Sequence, residues 1–405
     1  MPEKKRSSRK LPSLIDAFCE YTANIPTPPH YRYWAAIQMV AGMLERRCYA
    51  KPMMRPVYPN LFTLLVAPPG IGKSTVIAEV VRFWRKTERV NVAPNSVTSA
   101  SLVDVLRESG HVVTNSKTFE RWTYHSLLIG SEEFGNLITS YDLGFMSGMC
   151  EFYDCVKLYS ELRRGRKKDE QPPIPHPQIH MIAGTTPQYL GAVLPETAWG
   201  QGFMSRNIMI YAGSQARLPL FVQHEANDIL ERKILEDLRT VASLEGEFTW
   251  TPEASTALVD WWEAELSPAP THLRLENYKP RRLLHFVKLC MAFSAARSND
   301  LLISLEDHNL AKKLLLDAEA QMPQIFQAMA STDDTAIVEE VYTFVLRQHA
   351  RTKKPVSRPL VLEFLAELIP LYRIESFIKV MEEARIIVRV GGGYTPGRRS
   401  KFDTT

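Results

Sequence analysis

The residues of this chain best suited to chemistry stand close together between positions 67 and 75. Gly70 and Gly72 precede Lys73 and Ser74, and an apolar, partly β-branched run at 61–66 comes just before them. Glycines let backbone N–H groups turn toward an anion, and a helix that begins after them adds the positive end of its dipole. The amphipathic sequence after Ser74 predicts such a helix. The segment therefore predicts a strand, a phosphate-binding loop and a helix.

Lys73 is expected to reach the β- and γ-phosphates of a nucleoside triphosphate, and the Ser74 hydroxyl to bind Mg²⁺. Ala67 stands where the usual pattern opens with glycine, and its methyl group is the smallest possible intrusion. A chance Gly-Lys-Ser sequence in a turn is the alternative, which the flanking strand and helix patterns disfavour. The predicted site for ATP comprises Pro69, Gly70, Ile71, Gly72, Lys73, Ser74 and Thr75.

Two adjacent carboxylates, Glu132 and Glu133, follow the mainly apolar residues 127–130. This run predicts a buried central strand, and ligands bind at the carboxyl ends of strands in open α/β sheets. We expect Glu132 to hold Mg²⁺ through water and Glu133 to polarise the attacking water. A solvated pair of glutamates at a strand end is the alternative, and the phosphate-binding loop makes the catalytic interpretation the stronger one.

Thr186 lies at the end of the next predicted strand, just before Pro187. A hydroxyl one strand away from the carboxylates can contact both the attacking water and the γ-phosphate. Thr186 is our first choice for this sensor and Thr185 the second. A threonine pair that only caps the strand before a turn is the alternative.

Arginines at two places are candidates for contact with phosphate. Arg206 stands immediately before the apolar run 207–211, where its charge must remain hydrated or paired. It is predicted to be an arginine finger that reaches the nucleotide site of a neighbouring subunit, with a structural salt bridge as the alternative. Arg281 and Arg282 open a helical pattern, and Arg282 is expected to contact phosphate from a helical lid.

A cluster of cations lies between the carboxylates and the sensor strand. It comprises Arg163, Arg164, Arg166, Lys167 and Lys168 around a single glycine. We expect a hairpin or loop tip that tracks the phosphate backbone of DNA, where lysine and arginine release counterions on binding. A solvated basic loop is the alternative.

In this order the motifs resemble those of AAA+ ATPases, and most of all the minichromosome maintenance type and its relatives in phages and mobile elements. The resemblance covers roughly residues 31–316 and is carried by Gly72-Lys73-Ser74, Glu132-Glu133-Phe134, Thr186-Pro187 and Ser205-Arg206. In that family the strand-end motif is typically Asn-Pro and the finger Ser-Arg-Phe-Asp, so this chain departs at Thr186 and Asn207. The resemblance implies a ring, usually hexameric, that encircles DNA and moves along it with ATP.

The elements that must position these residues follow from apolar spacing. Residues 11–47 predict two helices with a proline-rich break, and 125–130, 178–183 and 207–211 predict buried strands. The fold class is α/β, with a parallel sheet and helices on both faces. We expect a basic tail and helices at 1–50, an AAA+ P-loop core at 51–220, a helical lid at 221–330 and a winged helix at 331–405, whose first residues, 331–334, form a linker.

Composition is that of an ordinary globular protein, with 405 residues, 45% hydrophobic and 23% charged residues, and a net charge of +4. No apolar run reaches the ~18 residues of a membrane span. The five scattered cysteines lack zinc-ligand spacing and indicate a reduced, cytoplasmic protein of a bacterium or a phage-infected host.

These expectations describe an ATP-driven, Mg²⁺-dependent DNA translocase or helicase in phage or mobile-element replication. It would be a homo-oligomer, a hexamer by the family resemblance, that prefers single-stranded to double-stranded DNA. Two other functions use the same motifs. One is a helicase loader, initiator or transposition regulator that does not unwind DNA, and the other is a nucleotide-gated interaction module whose winged helix binds protein.

Overall fold

The structure of the chain is a computed structural model. It describes residues 9–94, 97, 99–114, 121–138, 142–161, 172–194, 196–199, 202–215, 227–369 and 371–397. The chain divides into two compact units, residues 1–326 and 327–405. None of the described helices is both long and apolar enough to cross a bilayer.

Within these residues the helices are, in chain order, α1 (Leu14–Tyr21), α2 (Pro29–Leu44), α3 (Lys73–Thr87), α4 (Ser99–Glu108), α5 (Leu143–Tyr153), α6 (Pro187–Val193), α7 (Glu196–Trp199), α8 (Gly202–Ser205), α9 (Asp228–Val241), α10 (Pro252–Glu263), α11 (Arg282–Arg297), α12 (Leu305–Thr352), α13 (Arg358–Leu368) and α14 (Leu371–Glu383). The strands are β1 (Cys48–Ala50), β2 (Phe62–Val66), β3 (Gly110–Thr114), β4 (Arg121–Ser131), β5 (Leu158–Tyr159), β6 (Ile174–Pro175), β7 (Pro177–Thr185), β8 (Asn207–Tyr211), β9 (Gly246–Trp250), β10 (Leu302–Ile303), β11 (Val356–Ser357), β12 (Ile387–Val390) and β13 (Gly393–Pro396).

The main sheet of the first unit has the strand order β3-β4-β7-β2-β8. Strands β4, β7, β2 and β8 are parallel, so all four end at the same side, called here the carboxyl end of the sheet; the opposite side is the amino end. The three strands predicted from apolar runs lie within β4, β7 and β8. Strand β3 is antiparallel to β4. It was not predicted, because its exposed and half-buried residues alternate and form no continuous apolar run.

Successive residues of β2 face opposite layers of helices. Phe62 contacts the ring of Tyr153 at the end of α5, with 5.0 Å between centroids, whereas the next residue, Thr63, accepts a hydrogen bond from Gln38 of α2. All residues of β2 and β7 are buried, as expected for central strands covered on both sides. The first unit is therefore a mixed α/β structure whose largely parallel sheet is flanked by helices.

The segment after residue 219, predicted to be helical, also contains strands. Strands β9 and β10 join β1 in a three-stranded parallel sheet, in the order β1-β9-β10. Because β10 has only two residues and β9 alternates in burial, neither carries the apolar signal used to locate strands.

The second unit packs the C-terminal part of α12, α13 and α14 against an antiparallel sheet in the order β11-β13-β12. Its core includes Val341, Val361, Phe377 and Tyr394. Residues 331–334 lie inside α12 and do not form the expected linker. The capping preference of Ser and Asp is a weak prior that strong helix formers on both sides override.

Candidate functional site

The glycine-rich loop joins the carboxyl end of β2 to α3. Gly70 and Gly72 have φ of +81° and +87°, a backbone region that favours glycine. A Cβ on Gly72 would also lie 2.3 Å from the Pro26 carbonyl oxygen and 2.5 Å from Thr27 Oγ1. Thr27 Oγ1 donates to the Gly72 carbonyl at 2.5 Å, so the segment before α2 fixes the shape of the loop. Sequence reasoning missed Thr27, because nothing local links the Pro26–Pro29 break to residue 72.

The side chain of Lys73 folds back onto the loop that precedes it. Its Nζ donates to the carbonyl oxygens of Ala67 at 2.8 Å and Pro68 at 3.0 Å. Burial lowers the pKa of Lys73, and the nearby charge of Glu133 acts in the opposite direction. The amine is therefore a buried cation held by two carbonyl oxygens, which phosphate oxygens could replace.

The loop also presents N–H groups without backbone acceptors. Within the described residues, Gly70, Gly72, Lys73 and Ser74 donate to no backbone carbonyl, as expected at the start of a helix. Ser74 and Thr75 are exposed at the same place. These groups and the Lys73 amine form a cradle suited to an anion with several oxygens.

Both predicted carboxylates follow β4 at the carboxyl end of the sheet, and both are exposed. Glu133 acts electrostatically on Lys73. Glu132 instead lines a cleft of about 580 Å³ along α3, together with Arg82 and Arg85. The structure thus separates two neighbours that the sequence presents as a pair, and Glu133 is the one linked to the loop lysine.

Gly184 of β7 lies where the end of β4 and the start of α3 approach that strand. A Cβ at this position would lie 2.6 Å from the Glu132 carbonyl oxygen and 3.4 Å from Lys73 Cβ. Only glycine lets the end of β4 and the start of α3 approach β7 this closely. In the sequence, a glycine directly before Thr185 and Thr186 could have indicated this close approach, and sequence reasoning did not use it.

Thr186 caps α6, and its hydroxyl oxygen accepts from the Tyr189 N–H at 3.2 Å. That bond occupies the acceptor and leaves the hydroxyl proton available to a phosphate or water. Thr185 is buried and its carbonyl accepts from the Ala67 N–H at 3.2 Å, which ties β7 to the first residue of the loop.

Tyr189 is a further residue that sequence reasoning missed. Its hydroxyl donates to the Ile138 carbonyl at 2.5 Å, and a Cβ on Gly135 would lie 2.9 Å from its ring. Burial raises the pKa of Tyr189, and the charge of Glu133 adds to this effect. Tyr189 therefore fixes the turn that follows Glu133.

Arg206 lies away from the loop of its own chain. It precedes β8, whose first residue pairs with Phe62 at the start of β2, so it sits at the amino end of the sheet. Its Nε donates to Asp154 Oδ1 at 3.0 Å, its Nη2 to Asp154 Oδ2, and its Nη1 to the Gly202 carbonyl at 2.6 Å. The structural salt bridge considered as the alternative is thus present within the chain.

Arg282 does not reach the loop, which corrects the expectation that it contacts phosphate. Its side chain is 1% exposed and donates to both carboxylate oxygens of Glu319, at 2.8 and 2.7 Å. The carbonyls of Leu266 and Pro268 accept its remaining N–H groups. Arg281, 24% exposed, donates to Asp154 at 3.1 Å and so lies beside Arg206.

The predicted DNA-binding residues Arg163, Arg164, Arg166, Lys167 and Lys168 lie outside the described residues. The strands on either side of them, β5 and β6, pair antiparallel, Leu158 with Pro175 and Tyr159 with Ile174. The basic sequence therefore joins the two strands of a short ribbon.

A largely apolar cavity of about 420 Å³ lies between the start of α2, the end of β8 and α12. Its lining includes His30, Tyr33, Leu314 and Gln321. His30 Nε2 lies 3.0 Å from the Tyr211 carbonyl oxygen, at the carboxyl end of β8, the strand next to β2. This cavity is on the same side of the sheet as Lys73.

The fold and site define an α/β protein with a glycine-rich loop between a central strand and a helix. No protein-family model matches the chain, and no curated protein matches it.

Proposed function

We propose that this chain hydrolyses ATP and uses the energy to move along DNA, as an oligomeric translocase or helicase of the AAA+ type. The observation that carries the proposal is the geometry of the loop: Lys73 Nζ lies over the Ala67 and Pro68 carbonyls, beside N–H groups free of backbone acceptors in the described chain, and the charge of Glu133 acts on this lysine. Phosphate needs such donors, and hydrolysis needs a base beside them.

The residues fit ATP in two respects. The Lys73 amine can exchange its two carbonyl acceptors for phosphate oxygens, and the loop N–H groups can donate to the same anion. The cavity lined by His30 and Tyr33, at the same end of the sheet, offers apolar and aromatic surface to a nucleobase. In this proposal Glu133 accepts a proton from the attacking water, and the Thr186 hydroxyl orients that water.

The described residues hold no group of three or more His, Cys, Asp or Glu side chains able to bind a metal ion. In this proposal Ser74 and one carboxylate, Glu132 or Glu133, would hold Mg²⁺ together with the phosphates, as is usual for this ion. Bound Mg²⁺ neutralises phosphate charge during transfer.

Arg206 is assigned in this proposal to the site of a neighbouring subunit. Strand β2 has five residues, so about 15 Å separates the two ends of the sheet at about 3.3 Å per residue. Arg206 cannot complete its own site across that distance. In the single chain Asp154 neutralises its charge, and a triphosphate, which carries more negative charge, can compete for it.

DNA contact is assigned to the basic sequence between β5 and β6. That sequence has five Lys or Arg residues within six positions, from Arg163 to Lys168. The strands before and after this sequence, β5 and β6, pair antiparallel, as a loop between them requires.

For the C-terminal unit, a protein-binding role has an observation in its favour. The exposed face of α14 carries Glu375, Lys379 and Glu383, and all three are paired, Glu375 with Arg358 and Lys379 with Glu383. This face has no surplus positive charge to attract DNA. The second candidate function, a nucleotide-gated interaction module, draws on this feature.

The test is a strand-displacement assay on tailed DNA, run beside an ATPase assay on the full chain. Lys73→Ala should abolish both activities because it removes the phosphate-binding amine. Glu133→Gln should lower turnover by about 10²–10⁴-fold yet keep ATP bound. Lys51→Ala, whose side chain is 44% exposed just after β1, is the matched control and should be unchanged.

Full turnover in Glu133→Gln would remove that residue from its role. ATP hydrolysis without strand displacement would favour a loader or regulator. Absence of hydrolysis under all conditions would contradict the proposal itself.

A further inference from the structure

Aromatic side chains form a row at the amino end of β4, far from the glycine-rich loop. The Trp122 and Tyr124 rings are 5.2 Å apart between centroids, and His111 of β3 stacks on Tyr124 at 5.0 Å and 16°. His176 meets the Trp122 ring edge-on at 5.6 Å. Nothing in the proposed hydrolysis uses these residues.

Strand register places the row on a platform of three adjacent segments. Val113 pairs with Trp122 and His111 with Tyr124, so these side chains share one face of the sheet. On the other side of β4, His176 Nδ1 lies 3.0 Å from the Thr123 carbonyl oxygen, and the His176 carbonyl accepts from the His125 N–H at 3.2 Å. Trp122 is therefore flanked on both sides.

Tyr124, at the inner end of the row, is part of the core, whereas Trp122 and His176, at the outer end, are partly exposed. Tyr124 is buried, and its hydroxyl donates to the buried Glu45 at 2.7 Å. Trp122 and His176 remain partly exposed. A tryptophan needed only for the core would be covered by other side chains, whereas this ring is held from behind and presents surface to solvent.

The charges around the row favour an anionic partner. Arg121 and Lys157 are exposed, and the Lys157 carbonyl accepts from the His176 N–H at 2.8 Å, which places Lys157 beside the platform. The ribbon β5-β6, which leads into the basic sequence, ends next to His176. Aromatic rings beside cations are the combination that binds single strands, through stacked bases and neutralised phosphates.

We propose that Trp122, supported by Tyr124 and flanked by His176, stacks on a base of single-stranded DNA. The inference rests on the proposed function and adds a contact to it. A duplex conceals the faces of its bases, so the platform discriminates in favour of single strands, whereas Arg121 and Lys157 contact phosphates of either form.

The test is the binding of a fluorescent oligo-dT to the full chain, with a duplex of the same length as the second ligand. Trp122→Ala should weaken single-strand binding by about 5- to 100-fold and leave duplex binding unchanged. Trp122→Phe should keep most of the affinity because a ring remains. Trp262→Ala, which removes a 53% exposed tryptophan on α10, is the control and should have no effect.

Salt dependence separates stacking from charge. The slope of log K against log[salt] should be the same in Trp122→Ala and wild type, since no cation is removed. Unchanged single-strand affinity in Trp122→Ala, beside wild-type binding, would overturn the inference and leave the proposed function intact. An equal loss for duplex, or a loss in Trp122→Phe as large as in Trp122→Ala, would also overturn it. No DNA binding by the wild type would overturn both.

Discussion

Lys288 is a fully buried cation among neutral partners. Its Nζ donates to the carbonyl oxygen of Asn60 at 2.6 Å and to Asn60 Oδ1 at 2.8 Å, and lies 3.8 Å from the centre of the Tyr153 ring. Asn60 in turn donates to the carbonyls of Tyr153 and Ile179, both at 3.0 Å. This cluster ties α11 to the start of β2 and so holds the amino end of the sheet, where Arg206 lies.

The charge state of Lys288 gives a prediction for stability against pH. Burial lowers its pKa from 10.5 to about 7 in the folded chain. Between these values the unfolded chain binds more protons, so the free energy of unfolding rises with pH across this window. Compared with Lys288→Met, the wild type should gain about 2 kcal/mol between pH 7.5 and 9.5, measured by denaturant unfolding.

The difference between the two proteins isolates Lys288, because the other titrating groups are common to both. A difference that stays constant over this pH range, or falls, would show that the lysine remains charged in the folded chain.

Single residues differ in how far the sequence could identify them. Lys73, Ser74 and Glu133 stand in local motifs, and a local motif is visible along the chain. The ion pair of Arg282 could not be predicted from the sequence, because its partner Glu319 is 37 positions away and only tertiary packing joins them. The pairing of Arg206 with Asp154 was foreseen only as an alternative without a named partner, for the same reason.

Among the elements, the approach of β7 to its neighbours decides the geometry of the site. Gly184 faces the Glu132 carbonyl on one strand and the start of α3, and no larger residue fits without a shift. The carboxylates and Lys73 are therefore positioned through the same glycine.

Gly184→Ala should destabilise the chain by about 1–3 kcal/mol and reduce ATP turnover more than ATP binding. The added methyl group must push the Glu132 backbone away, which moves Glu133 relative to the loop. Thermal unfolding and steady-state kinetics check both parts. Gly144→Ala in α5, where the new Cβ would lie 3.4 Å from Asp142 Oδ1, is the control and should be neutral. Wild-type stability and turnover in Gly184→Ala would contradict this account of the site.

Elements were predictable where burial is continuous. Strands β2, β4, β7 and β8 contain apolar runs because helices cover both faces, and the break at 26–29 separates α1 from α2 as expected. Strand β3 and the small sheet β1-β9-β10 gave no such signal, since short or half-exposed strands need few apolar residues. The pairing of distant strands cannot be deduced from a local pattern.

At the scale of the whole molecule, the candidate residues of the phosphate-binding loop and the candidate arginine finger lie at opposite ends of one sheet. Lys73 and Glu133 are at the carboxyl end of the first unit, and Arg206 and Arg281 share Asp154 at the amino end. A single subunit cannot bring them together. Head-to-tail contact between copies would bring them together, because each copy then presents the amino end of its sheet to the carboxyl end of the next copy's sheet.

The most direct measurement is ATP turnover in a mixture of two variants that are each inactive alone. Lys73→Ala subunits keep Arg206, and Arg206→Ala subunits keep Lys73 and Glu133. If each site forms between neighbours, an equal mixture should recover about one quarter of wild-type activity, since random assembly joins an intact loop to an intact arginine at that frequency. Light scattering and thermal unfolding verify that both variants fold and assemble, and Arg281→Ala tests the second arginine in the same way. No recovery in a mixture that assembles, or full turnover by Arg206→Ala alone at any protein concentration, would contradict a nucleotide site shared between subunits.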